Sequence, residues 1–445
     1  MAVGDQGRLA HQRPNREVRE VLLRCTRWPP RRCVELVCCN CFSYLQNSVL
    51  PTILHSMYIK RDGEDLLRAI LGGPKIGVIL GARQVGKTTL AEHLLAGTAS
   101  EFLNFDVEVD KARFLAAAAL SPPEALRTLG NPAILVIDEA QRLPETSRIV
   151  KGWYDAKVPV KILLLGSSAL DLLDQAAEPL TGRNRKLVLP PLLFTETLAT
   201  QSWAAGGAST THIREHFAAA LRAYLLQRMA FGSYPEVVTS DEPVALLREL
   251  SSDYLWKDIL HTGLVRTPDV IKRLLLLLAH QAGSQISVNE LATHLHTARP
   301  TVDRYLDLLE RMFVIFRLPS YSTNPRKEIA KSHKVFFWDT GIRNALLNAY
   351  SFDASRPDIG MLWENWVIAE VAKRNALLGS PAELFFWRTR AQSEVDLVVK
   401  RNGALRAFEI KWTARRISGR AFHDAYGVDV QLIESGNPFV DDVLV

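Results

Sequence analysis

The stretch PKIGVILGARQVGKTTLAEHLL, starting at Pro74, leaves a chain of this kind few ways to fold. Ile76 to Leu80 is a short apolar run, and an apolar-periodic helix follows the loop after it. Between them lies Gly81-Ala82-Arg83-Gln84-Val85-Gly86-Lys87-Thr88-Thr89, which carries GxxxxGK[ST] in the strand–loop–helix setting its chemistry needs. Gly81 and Gly86 let the backbone curl until its N–H groups point at phosphate oxygens. The next helix turns its positive dipole end on the same anion. Lys87 is expected to reach the β- and γ-phosphates, with catalytic effect, and the Thr88 hydroxyl to ligate Mg²⁺. The whole run from Gly81 to Thr89 is the expected nucleotide-binding loop.

Fifty-one residues after Lys87 stand Asp138 and Glu139, ending the apolar run Ile134 to Ile137 in NPAILVIDEAQRLP. A continuous apolar run bounded by Pro132 and by charge reads as a strand buried on both faces. Sheets of alternating strands and helices place ligands at the C-terminal ends of their strands. Asp138 is therefore expected in the Mg²⁺ shell, and Glu139 is expected to orient or activate the attacking water. Without the loop before it, the same pair would read as a helix cap. Another buried run, Ile162 to Leu165, ends in Ser167 and Ser168. Such a hydroxyl, Ser167 being the candidate, either senses a γ-phosphate or caps a helix.

The order GARQVGKTT, ILVIDEAQ, ILLLGSSAL and PLTGRNRKLVLPPLLFTE resembles the AAA+-like ATPases of bacteria and archaea that carry a C-terminal domain of unknown function. The likeness runs from about Met57 to Trp412 and takes in AFGSYPEVV (Ala230 to Val238) and the Asp-Ile pair of YLWKDIL. It implies ATP as the nucleotide and Mg²⁺ as the cofactor. It also implies that Arg183, in the recurrent Gly-Arg after the sensor strand, contacts the γ-phosphate in cis or from a neighbouring copy. On the residues alone, Arg183 is equally a surface arginine in a turn.

ISVNELATHLHTARPTVDRYLDLLERMFVIFRL reads as a helix-turn-helix followed by a strand, a winged-helix pattern. Ser287 caps the first helix with Glu290 three residues on, His296 to Ala298 turn, and Pro300 suits the first turn of the second helix. Val302, Tyr305, Leu306 and Leu309 form its buried stripe. The other face mixes Arg299, Arg304 and Arg311 with Asp303, Asp307 and Glu310. DNA contact therefore competes with a packing role, since phosphate-facing helices are normally less acidic.

SEVDLVVKRNGALRAFEIKW alternates, with Asn402-Gly403 as a two-residue hairpin turn. Alternation puts Val395, Leu397, Val399, Phe408 and Ile410 on a core face and Glu394, Asp396, Glu409 and Lys411 on the other. Counting from the turn, Asp396 faces Glu409 and Glu394 faces Lys411. Like charges so opposed are destabilising, and a divalent cation would neutralise them. The arrangement resembles the core of restriction-endonuclease-like PD-(D/E)XK folds, with Val395 where a Pro is usual. That resemblance implies Mg²⁺ held by Asp396 and Glu409, Lys411 at the attacking water, and Glu364 as a further carboxylate from an upstream helix. The plain alternative is a surface ion network around Lys411.

The 445 residues, 47% apolar and 23% charged, suit a soluble globular protein with two or three cores. Of the net charge of +6, +4 falls on residues 1–56, so the rest offers weak grounds for nucleic-acid binding. All five cysteines (Cys25, Cys33, Cys38, Cys39 and Cys41) also lie there; CVELVCCNC allows a zinc-site reading, against which the adjacency of Cys38 and Cys39 counts. That segment lacks the form of a secretory signal and is read as an extension ahead of a start at Met57. A cysteine-free remainder suits a reducing cytoplasm, and no apolar run approaches the roughly twenty residues of a membrane span. The expected organisation is α/β: extension 1–56, P-loop AAA+-like ATPase domain 57–200, helical and winged-helix segment 201–330, nuclease-like α/β domain 331–445. It is read as a Mg·ATP hydrolase coupling nucleotide state to the C-terminal part, with an ATP-regulated nuclease and a slow partner-recruiting switch as rivals. DNA and further copies of the chain are candidate partners.

Overall fold

The computed structural model describes residues 58–167, 180–204, 209–254, 259, 265, 267–322, 333–389, 391–413 and 419–444. The expected extension with its cysteines, Met57, Ser168 and Asp258 lie outside the described residues. Residues from Ile59 onward belong to one compact unit.

Helix α1 (Glu64–Leu71) leads into β1 (Ile76–Leu80), every residue of which is buried. Then come α2 (Lys87–Leu95), β2 (Ser100–Asn104), α3 (Glu108–Ala118), β3 (Ile134–Asp138), α4 (Thr146–Asp155), β4 (Lys161–Gly166) and β5 (Asn184–Val188). The strands form a parallel sheet of order β2-β3-β4-β1-β5. The apolar runs are continuous because such a sheet is covered on both faces. Val78, Leu80, Leu135, Ile137 and Leu164 share one core with Phe105, Phe114 and Trp153. The register pairs Leu80 with Gly166 and Asn104 with Asp138, so the loops after β1, β2, β3 and β4 open at one edge. A Cβ on Gly81 would sit 2.2 Å from the Leu189 carbonyl oxygen, so the first loop position accepts only glycine.

Beyond β5 come α5 (Phe194–Leu198), α6 (Ala218–Phe231), α7 (Pro268–His280), α8 (Val288–His294) and α9 (Arg299–Arg311). Ser287 Oγ accepts the Glu290 N–H at 3.3 Å, and Val302, Tyr305, Leu306 and Leu309 are buried. The helix pair runs into antiparallel β6 (Ile315–Pro319) and β7 (His333–Phe337), and Gln285 bridges Lys334 beside them. The expected boundary at 330/331 thus separates two strands of one sheet. Sequence spacing could not reveal this pairing, because the strands are joined through residues 320–332. On α9 the acidic side chains are held within the chain: Arg317 pairs with Asp307 (2.7 Å) and Glu310 (2.5 Å).

α10 (Thr340–Leu346) and α11 (Ile359–Ala376) precede a second sheet of order β11-β10-β9-β8. Its strands are β8 (Glu383–Arg388), β9 (Glu394–Arg401), β10 (Ala404–Lys411) and β11 (Val430–Glu434), with α12 (Arg420–Tyr426) before the last. Gly232 (φ 72°) crosses so close to α10 that a Cβ there would lie 1.9 Å from Asp339 Oδ1. α11 completes the hydrogen bonding of the segment after β5. Lys373 Nζ donates to the Leu192 carbonyl at 2.8 Å, and Glu370 accepts the Phe194 N–H at 2.9 Å.

Asn402 (φ 50°) and Gly403 (φ 83°) make the β9–β10 turn, and pairing runs from Arg401↔Ala404 to Leu397↔Phe408 as counted from the turn. Two expectations fail beyond that. The register of β9 against β8 shifts between Phe385 and Trp387, so Val395 leaves the face of Leu397 and packs with Val398, Ala407 and Phe422. Both faces are buried, since Leu397, Val399, Phe408 and Ile410 belong to a different core from Val398 and Ala407.

Candidate functional site

The loop after β1 closes around its own lysine. Gly86 (φ 90°) and Gln84 (φ 61°) are left-handed, and buried Lys87 donates from Nζ to the carbonyls of Gly81 (3.1 Å) and Ala82 (2.9 Å). Thr89 follows Thr88 in the first turn of α2. The Thr88 hydroxyl donates to Asp138 Oδ2 at 2.6 Å, which brings together the two side-chain oxygens expected at Mg²⁺. Asp138 Oδ1 accepts the N–H of Glu139, a non-glycine residue held at φ 49°. That turn directs the Glu139 carboxylate to Ser167, whose hydroxyl donates to it at 3.0 Å. Gln141 donates to Glu139 and, at 2.9 Å, to Ser167 Oγ. Burial raises the Glu139 pKa and neighbouring Asp138 adds to this, while Lys87 works against it.

Two buried acceptors at this edge, Gln84 Oε1 and Gln141 Oε1, have no hydrogen-bond partner. Buried polar atoms are ordinarily satisfied, so each marks a place for a bound group or water. As acceptors they call for a donor such as water, whereas the Thr88–Asp138 pair supplies the oxygens that suit the Mg²⁺ of a bound triphosphate. Only one carboxylate is required there, because phosphate oxygens and water complete the shell of such an ion.

Arg183 is not brought to this edge. Its carbonyl accepts the Ile76 N–H at the start of β1, which is the length of a strand away, about 15 Å. Its guanidinium donates to Asp155 at 2.7 Å, a hydrogen bond that raises its pKa. The Gly-Arg pair specifies a turn but not the edge on which that turn falls. Contact with a nucleotide in cis is therefore corrected.

Residues absent from the sequence expectations support the loop. Arg61, 4% exposed, donates to the carbonyls of Val85 (2.8 Å) and Pro190 (2.7 Å) and pairs with buried Glu196 at 3.1 Å. Asp106, just beyond β2, lies 3.4 Å from Arg83 and 2.9 Å from Arg142. These were illegible because no local motif marks them. Gln141 was the exception: its place two residues after Glu139 could have suggested it.

A cleft runs from Ala82, Arg83 and Ser167 to a far wall made by Tyr234, Phe313, Asp339 and Ile342. Phe313 (φ 58°) turns out of the end of α9 and packs against the core of the first sheet. Val314 behind it accepts the Trp338 N–H at 3.2 Å.

In the C-terminal sheet, Glu364 and Asp396 meet at a residue the sequence did not suggest, and Lys411 joins Asp396 to Glu409. Lys334 on β7, 4% exposed, places Nζ 2.8 Å from Glu364, 2.6 Å from Glu394 and 3.9 Å from Asp396. Burial alone would lower its pKa, but the three carboxylates outweigh it and the net shift is upward. Glu364 is pushed up to about 7, mainly by burial, with Lys334 opposing. Lys411 pairs with Asp396 (3.1 Å) and Glu409 (2.8 Å), while Glu394 turns to Lys334 and to Arg388 (3.5 Å). The expected Glu394–Lys411 pairing is thus corrected. The register shift breaks the alternation, and Asp396 Oδ2 accepts the Ile410 N–H at 2.8 Å where the ladder pairing ends. Among the described residues, no group of three or more His, Cys, Asp or Glu side chains is arranged to hold a metal ion. A lysine ammonium lies among these carboxylates, and the arrangement does not fit a divalent cation. Nor, among the described residues, is any helix long and apolar enough to cross a membrane.

Residues 73–198 match the AAA domain family. Residues 222–353 and 359–437 each match a domain of unknown function (DUF8612 and DUF4143). An uncharacterized protein of Mycobacterium tuberculosis is 31% identical over 382 residues, covering 84% of this chain and 78% of the relative. An uncharacterized protein of Haemophilus influenzae is 25% identical over 284 residues, 60% of this chain and 68% of the relative. Among solved structures, a Walker-type ATPase of Pyrococcus abyssi aligns with a TM-score of 0.45 at 15% identity, over 65% of this chain and 96% of that one. The chain belongs to the family of the mycobacterial protein, and within it an AAA-type P-loop domain is followed by two domains of unknown function.

Proposed function

We propose that this chain hydrolyses Mg·ATP and passes its nucleotide state to the α8–α9 helix pair and the C-terminal sheet. One observation carries the reading. Lys87, the Thr88–Asp138 pair and the Glu139–Ser167 pair stand together on one sheet edge. Mg²⁺ held by Thr88 and Asp138 would neutralise charge on the β- and γ-phosphates. Lys87, released from the Gly81 and Ala82 carbonyls, takes phosphate oxygens in their place. Glu139, fixed by Ser167, orients a water and accepts its proton. The water oxygen bonds to γ-phosphorus while the β–γ bridge bond breaks, and its electron pair leaves on the diphosphate. The preference for ATP over GTP follows the family likeness.

Coupling is supported by the cleft, whose far wall belongs to the parts that would respond. Loops held by γ-phosphate contacts are released on hydrolysis, and the Phe313 turn lies within reach of such a change. DNA is the candidate partner of the helix pair. Arg183 can serve a nucleotide only in a neighbouring copy, so any such role requires an oligomer. ATP-regulated cleavage by the C-terminal carboxylates is the weaker reading, because Asp396 and Glu409 are both paired with Lys411 and Glu364 with Lys334.

The test is phosphate release with and without Mg²⁺, DNA and RNA. Lys87→Ala should abolish nucleotide binding. Glu139→Gln should keep binding and lose about 10²–10⁴-fold in turnover, as for removal of a general base. If both variants hydrolyse ATP like wild type, the site is misassigned.

A further inference from the structure

We propose that Arg83 is a catalytic residue that meets γ-phosphate charge in cis, and that Asp106 holds its guanidinium until triphosphate arrives. The proposal rests on the ATPase reading above. Phosphoryl transfer spreads negative charge over the γ-oxygens, and a lysine with one magnesium ion is commonly supplemented by an arginine. The expected one, Arg183, occupies the wrong end of the sheet and is engaged with Asp155. Of the residues lining the cleft, Arg83 is the cationic one, and it shares that lining with Ala82 and Ser167. Ala82 also supplies a carbonyl to Lys87, so the two cations issue from the same turn of backbone. Gln84, next in the chain, is left-handed.

Among the contacts of Arg83, the one with Asp106 is built to yield. Its contact with Asp106 is long, 3.4 Å, and the side chain is 30% exposed, so the pair is weak. Asp106 itself is held from two other sides. Arg142 Nε, beyond β3, lies 2.9 Å from its Oδ1, and the backbone N–H of Asp106 donates to Asn104 Oδ1 at 2.9 Å. Asp106 therefore keeps its position when Arg83 leaves. A phosphate group in the cleft offers two charges and bidentate geometry, which a guanidinium prefers to one partly hydrated carboxylate. Exchange of Asp106 for γ-phosphate moves no helix or strand. A diphosphate, lacking the competing group, leaves Arg83 with Asp106, so the guanidinium reads which nucleotide is bound.

The experiment uses the full-length chain with ATP, a fluorescent ATP analogue for affinity, and millimolar guanidinium chloride as a chemical replacement. Arg83→Ala should lose at least tenfold in turnover, toward the roughly 10³–10⁵-fold contribution known for such arginines. Its affinity for the analogue should change by less than about fivefold, well under the loss in turnover. Added guanidinium should restore part of the rate, and Arg83→Lys should fall between. Asp106→Asn should strengthen binding of the triphosphate analogue relative to ADP. Arg113→Ala, an exposed arginine paired with Glu101, serves as the control. Wild-type turnover in Arg83→Ala overturns the proposal. So does a loss of turnover accompanied by equal loss of binding without guanidinium rescue, which marks a structural role. If wild type neither binds nor hydrolyses any purine triphosphate, the parent reading falls, and Arg83 falls with it.

Discussion

Lys334 Nζ lies 2.8 Å from Glu364 Oε1, joining β7, the partner strand of β6, to the long helix α11. The lysine also touches Glu394, so one cation on β7 answers carboxylates from α11 and β9. Removing it should strand buried charge. Lys334→Met keeps the aliphatic stem and deletes the ammonium. It is expected to destabilise the fold by about 3–5 kcal/mol, the usual cost of breaking a buried pair from one side. Urea denaturation at pH 8 measures this, and a loss below 1 kcal/mol would show the carboxylates to be hydrated instead.

Glu364 predicts a pH dependence of stability. Its carboxyl is raised from the ordinary 4.5 to about 7, chiefly by burial. A carboxyl raised in the folded state favours folding while protonated. That contribution is complete below the unfolded value and is lost as pH rises through the folded one. The wild-type chain should therefore lose stability across the window from about 4.5 to about 7, and Glu364→Gln should show a flatter profile there. Parallel curves for the two proteins would assign the titration elsewhere.

Ser167 donates to Glu139 at 3.0 Å, and in the proposed reaction it acts through that carboxylate. Ser167→Ala should lower kcat by about tenfold, the effect of one lost orienting hydrogen bond in the transition state. KM should stay put, since the hydroxyl is not needed to bind the loop's phosphates. The pH profile of kcat should also shift upward, because the hydroxyl favours the ionised carboxylate. A change confined to KM would make Ser167 a binding residue.

Phe313 links cleft and helix pair. Its left-handed backbone costs a non-glycine residue about 1–2 kcal/mol, which Phe313→Gly relieves while removing the ring. Trp338, with its ring centroid 6.3 Å from that of Phe313, is the natural reporter. Wild-type tryptophan emission should change on ATP addition by an amount that Trp338→Phe removes, and Phe313→Gly should abolish the change while still binding nucleotide. An undiminished signal in Phe313→Gly would place the coupling elsewhere.

What could be read in the chain follows from how local each determinant is. GARQVGKTT announces its loop because strand, turn and helix are contiguous, and Asp138 declares its edge by ending an apolar run. Asn402-Gly403 sets the hairpin register as far as Leu397↔Phe408. Arg183 was misplaced because the edge that a turn occupies depends on which strand lies beside it. Lys334 was invisible for the same reason, its partners being 30 and 60 residues further on. The register shift that moves Val395 was hidden by the regular alternation of the sequence. Yet adjacent Val398 and Val399, both apolar, already spoke against a sheet with one wet face.

The bonds from α11 to the Leu192 carbonyl and the Phe194 amide set a rule for anyone dividing this protein. A cut at 200/201, the boundary expected from sequence, would bare a buried donor and acceptor on one piece and leave Glu370 and Lys373 to face each other alone on the other. The stretch from Leu189 to Glu196 therefore travels with both halves. Chimaeras that exchange the C-terminal part between relatives will fold only if that stretch is exchanged with it.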